Sequence, residues 1–312
     1  MYYMEELTTK ISPGKSLIKL LLYMIVLGTS IQLLFMGLVG LYMKILHPDN
    51  SFSFSFLQDS SGALKMLLLS SSIATFILPA WLLYRTELGA NLYFERLKQV
   101  SLRQYLFVFA AMLCFIPMMS VISYWNESMQ LPESLQGVQQ WMRASEDSAA
   151  VMTKKIVEES TWSGLFINLF ILAVVPAIGE EMVFRGCLQN IFGRWIANKH
   201  VVIWVVAILF SAFHMQFFGF FPRMLLGAFF GYLYVWSKNI YLPIFGHFIN
   251  NASATVIAFY YTRKGMGFEE MNVFEQEPNW VYLASLIFTA IFVILYYHST
   301  KKIVHGTRLE ED

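Results

Sequence analysis

The sequence predicts an all-α polytopic membrane protein, a bundle of about eight transmembrane helices. Three observations lead there. The 312 residues are 57% hydrophobic and only 14% charged, against about 25% charged in soluble domains. Mean hydropathy is +0.53. Several windows reach the roughly 20 apolar residues that a helix needs to cross a bilayer. Net charge +1, pI about 7.7 and the lack of a long basic run argue against nucleic acid. Membrane lipid is the expected partner.

Eight spans follow in order: 18–45, 64–84, 104–125, 163–184, 200–216, 222–237, 241–261 and 279–298. The first is long enough to tilt, and the sixth is short. They divide the chain into 1–160, an N-terminal three-span region with an outer amphipathic loop; 161–262, a core of spans four to seven; and 263–312, the last span and a cytoplasmic C-terminal tail. Loop charge orients them. If both termini share a side, that side holds twelve Lys and Arg, from Lys10 to Arg308. The other holds five: Arg143, Lys154, Lys155, Arg263 and Lys264. This bias places both termini in the cytoplasm of a plasma (inner) membrane. The first apolar run exceeds a signal-peptide core and lacks a small-residue cleavage site, so no cleavable signal is expected.

Two connecting segments carry helical periodicity. Leu188, Ile191, Phe192, Trp195 and Ile196 predict a helix along the cytoplasmic interface over 187–198. Leu135, Val138, Trp141 and Met142 predict an amphipathic helix at the outer surface, a plain interfacial one rather than a cap over a site. Cys114 and Cys187 suggest packing, not a disulfide framework.

Within the spans the acids are Glu180 and Glu181, in "VVPAIGEEMVFRG". A charge at the centre of a membrane helix costs about 2.5–3.5 kcal/mol on insertion scales. Headgroup contact at the end of span four is the bland explanation. His214 and His247, each well inside a span, weaken it. Phe210 and His214 are four residues apart, as are His247 and Asn251, and Glu181 and Arg185, so each pair shares a helix face. Polar groups in a dry interior need partners, and these could serve one another if spans four, five and seven pack together. A carboxylate beside a neutral imidazole can deprotonate a water. A second His with an Asn can stabilise an oxyanion. These are the parts for amide hydrolysis with water as nucleophile, since no G-x-S-x-G elbow is present. Glu180, His214 and His247 could instead hold zinc with an open fourth position. No H-E-x-x-H occurs, and zinc remains open.

These residues resemble the CPBP family of intramembrane proteases, which includes the CAAX prenyl proteases. Its motifs EExxxR, FxxxH and HxxxN stand here, in order, at Glu180–Arg185, Phe210–His214 and His247–Asn251. The resemblance implies an intramembrane endopeptidase, glutamate-type or metal-dependent, acting on a protein or peptide substrate in or at the membrane, CAAX-like lipidated ones included. It implies Glu180 as general base with His214, and His247 with Asn251 as the oxyanion hole. It also implies that Glu181 and Arg185 pair and orient the site. A non-catalytic immunity or regulatory protein on the same scaffold is the alternative. A proton-relay transporter is disfavoured, since no inverted repeat is visible. At 1.5 Å per residue, His247 lies about 12 Å and His214 about 22 Å from the cytoplasmic ends of their spans. Glu180 lies near the end of its own. The site is expected within the membrane, toward the cytoplasmic half, and Pro176, with Gly179 after it, permits a kink just before the acid pair.

Overall fold

The computed structural model describes residues 11–46, 60–87, 99–266 and 277–306. Lys10, Arg96, Lys98 and Arg308 of the charge argument fall outside them. The described residues form nine helices and no strand: α1 Pro13–Leu46, α2 Ser61–Thr86, α3 Leu102–Glu127, α4 Gln136–Val157, α5 Trp162–Gly193, α6 Lys199–Phe213, α7 Phe220–Ser237, α8 Tyr241–Arg263 and α9 Asn279–Gly306. Seven of them are long and apolar enough to cross a membrane. The protein is an integral, multi-pass, all-α membrane protein. α6, the fifth expected span, has only 15 residues.

One expectation needs correction. The helix expected over 187–198 is not separate. α5 runs unbroken to Gly193, with Leu188 and Ile191 buried, and a turn follows. Five apolar residues at helical spacing look alike whether they extend a span or lie on a surface. Pro176 sits in the first turn after a π-helical stretch, Leu169–Val174. The wider π turn accommodates a residue that cannot donate a backbone hydrogen bond.

The chain folds into two compact units. The first comprises Met1–Glu95, Ser148–Ala197 and Asn251–Met271. Here α5 is tied at both ends. At its start the Thr161 hydroxyl accepts from Gly164 N–H (3.1 Å), an N-cap. Glu159 accepts from both Thr161 N–H and Thr161 hydroxyl and lies 3.7 Å from Lys65 of α2. The Thr161 bonds hold the Glu159 carboxyl below the usual carboxylate range. Beyond its end, Arg194 donates to the Ser16 hydroxyl (2.9 Å) and the Ile11 carbonyl (3.2 Å). Ser16 in turn donates to buried Glu87 (3.0 Å). This polar clasp joins the beginning of α1 to the ends of α2 and α5.

The second unit comprises Arg96–Asp147, Asn198–Asn250 and Asn272–Asp312. α3 contains Pro117, which opens its hydrogen-bond ladder. Ser285 of α9 fills the opening: its hydroxyl accepts from Met118 N–H (3.2 Å) and donates to the Cys114 carbonyl (2.6 Å). α6 and α7 approach closely at Gly227, where an added Cβ would lie 3.0 Å from the Phe210 ring and 3.3 Å from the Ala207 backbone. The buried Tyr296 of α9 donates to the Leu233 carbonyl (2.9 Å).

Candidate active site

Glu180 and Glu181 close a short α-helical segment, Val175–Glu181, between two π-helical stretches, Leu169–Val174 and Met182–Leu188. Glu181 and Arg185 are fully buried, with Arg185 Nη1 2.7 Å from Glu181 Oε1. That pairing matches the expectation for them. Glu180 is partly buried. Arg185 is thus the counter-charge that lets Glu181 persist in an apolar helix.

A π stretch shifts backbone partners and leaves carbonyls seeking donors. Asn190 supplies two bonds, its Nδ2 donating to the carbonyls of Arg185 (2.9 Å) and Gly186 (2.7 Å). One residue before the acids, Gly179 lies against α2. An added Cβ would meet Phe76 at 3.0 Å and Ile77 at 3.1 Å, both within α2's own π stretch, Ile73–Ile77. Asn251 of α8 donates to the Leu172 carbonyl (3.2 Å), in the other π stretch of α5. These contacts lie within the first unit.

The two histidines lie in the second unit, joined through Phe210. Its buried ring meets His214 edge-on at 5.1 Å and His247 at 5.8 Å. His247, 4% exposed, also stacks on Phe230 at 5.2 Å with the planes 14° apart. The Phe of the FxxxH pattern is therefore the spacer between both imidazoles. His214 is the first residue beyond α6. Its Nδ1 lies 2.9 Å from the Phe210 carbonyl. A carbonyl only accepts, so Nδ1 carries the proton. In a neutral ring, Nε2 then holds the lone pair.

Among the described residues, no three His, Cys, Asp or Glu side chains are gathered as a metal ion requires. No step below passes through a metal. Cys187 is buried and Cys114 partly buried, both as free thiols.

Several supporting residues escape a reading of the sequence. Asn190 matters only because a π turn precedes it. Asn126, 2% exposed at the end of α3, bonds to residues more than 90 positions away. A polar residue closing an apolar span was the one available hint.

Residues 156–253 match the family described as Type II CAAX prenyl endopeptidase Rce1-like, a stretch that contains all three motifs. The uncharacterized protein YpbD of Bacillus subtilis (strain 168) is 28% identical over 89 residues, which cover 27% of this chain and 42% of that protein. The match thus spans under half of that relative. No solved structure matches the chain. The segment 156–253, which holds Glu180, His214, His247 and Asn251 alike and makes up under half of the chain, is thus similar to the Rce1-like family of type II CAAX prenyl endopeptidases.

Proposed function

We propose that the protein is an intramembrane endopeptidase in which Glu180 and His214 activate a water. His247 and Asn251 stabilise the oxyanion that forms. The observation that carries this is the order of the three motifs on α5, α6 and α8 inside the family-matched segment. Glu180 takes the proton as the water oxygen bonds to the scissile carbonyl carbon. His214 receives a hydrogen bond from that water at Nε2, its Nδ1–H committed to the Phe210 carbonyl. The C–N bond then breaks, and Glu180 returns the proton to the leaving amine. A peptide bond of a membrane-associated substrate is the reactant, CAAX-like lipidated proteins among the candidates that the family description suggests.

The test is cleavage of prenylated and unprenylated membrane peptides by purified protein, with and without a zinc chelator. Glu180→Gln and His214→Ala should each lose at least about a hundredfold in kcat/KM, and chelation should leave the wild type active. Full activity in either variant would end this mechanism. Loss on chelation, restored by zinc, would replace it with a zinc-assisted form on Glu180, His214 and His247. An active biological phenotype in Glu180→Gln would favour the non-catalytic alternative.

A further inference from the structure

His214 stands on a short connection whose backbone is held from outside. α6 ends at Phe213 and α7 begins at Phe220. Between them Met215 takes φ 53°, a conformation that residues with a side chain avoid. Such a turn persists only where its surroundings over-determine it. Asn126 of α3 donates to the Phe217 carbonyl (3.2 Å) and accepts from Phe221 N–H (2.9 Å). Glu146 of α4 accepts from Phe218 N–H (2.7 Å). Arg223 donates to the Gln216 carbonyl (3.0 Å) and to its side-chain oxygen. The Arg143 guanidinium lies 3.4 Å over the Phe218 ring. The N–H groups at the start of a helix lack partners within it. Here Phe218, in the 3-10 turn Phe217–Gly219 that leads into α7, and Phe221, in the first turn of α7, are capped by side chains of other helices.

A helix that merely floats at the bilayer surface has no need of these bonds. We propose that Asn126 and the first half of α4, through Glu146, form a frame that positions the His214 imidazole. They act as positioning residues and touch no reacting atom. The frame stands on geometry alone; its effect on rate rests on the protease reading. α4 is then more than the plain interfacial helix expected from sequence, because it fixes the turn that carries a site residue. With the frame loosened, the imidazole keeps its bond to Phe210, but the turn beneath it relaxes. A misplacement of about 1 Å can cost about a hundredfold in rate.

The experiment uses the full-length protein in detergent or bicelles, with isotope-labelled histidine and the His214 ring signal identified by its loss in His214→Ala. Glu146→Ala should shift that signal and lower kcat by about tenfold to a hundredfold, with KM within about threefold of wild type. Glu146→Gln keeps an acceptor oxygen for Phe218 N–H and should restore both. Asn126→Leu should shift the same signal; should it fail to fold, the Glu146 pair decides. A His214 signal and kcat unmoved by Glu146→Ala would overturn the frame, whatever Glu180→Gln does. If wild-type protein cleaves nothing, the ring signal decides alone. A shift there supports the frame while the protease reading falls, and no shift overturns it.

Discussion

Arg185 and Glu181 illustrate how an apolar helix tolerates charge. Both are fully buried and 2.7 Å apart. Breaking a buried pair by deleting one partner leaves a charge stranded, at a cost of about 3–5 kcal/mol. Arg185→Met should therefore destabilise strongly, whereas Glu181→Leu combined with Arg185→Met should recover most of the loss. Unfolding of purified protein measures both. An Arg185→Met variant as stable as wild type would refute the account of the pair as mutual compensation. This contact was legible in the sequence because i,i+4 neighbours meet on any helix. Phe210 and His214 were legible for the same reason. That Phe210 also reaches His247 was not, since it depends on how α6, α7 and α8 pack.

At the scale of elements, irregular helix turns recur beside the site residues. Three π stretches occur in α2 and α5, and each is met by a partner: Gly179 packs on one, Asn251 donates to another, Asn190 donates within the third. Single-residue periodicity cannot reveal such turns, because α2 and α5 are apolar around most of their circumference and the phase shift of an extra residue leaves little trace. Pro117 shows the same logic in α3. Ser285 completes its opened ladder from α9. Ser285→Ala would leave the Met118 N–H and the Cys114 carbonyl without that bridge, and should cost about 1–3 kcal/mol. Thermal unfolding checks this; a change near zero would mean that the proline turn needs no bridge. The outer helix was legible as amphipathic from Leu135, Val138 and Trp141. Its bond through Glu146 was hidden, since a charged residue on a polar face looks merely solvated.

For the whole molecule, composition was enough to give an all-α membrane protein, because the bilayer permits few other solutions. Orientation rests on loop charge. From that bias we propose that Lys238, before α8, lies in the cytoplasm and Lys264, after it, outside. Cysteines substituted at these two positions should react with a membrane-impermeant maleimide from opposite sides of sealed vesicles. Labelling of both from one side would exclude α8 as a full span.

α6 was expected over 200–216 and spans 15 residues. At 1.5 Å per residue it is about 22 Å long, against a hydrocarbon core of about 30 Å. A short span is matched by thinning of the surrounding lipid, by snorkelling of flanking residues or by association with other helices. His214 lies at the end of that helix. Under the protease reading water is the second reactant, and we propose that lipid thinning beside α6 supplies it. In bicelles of increasing acyl-chain length, turnover should fall while the folded fraction holds. A flat profile would remove thickness as a determinant of water supply.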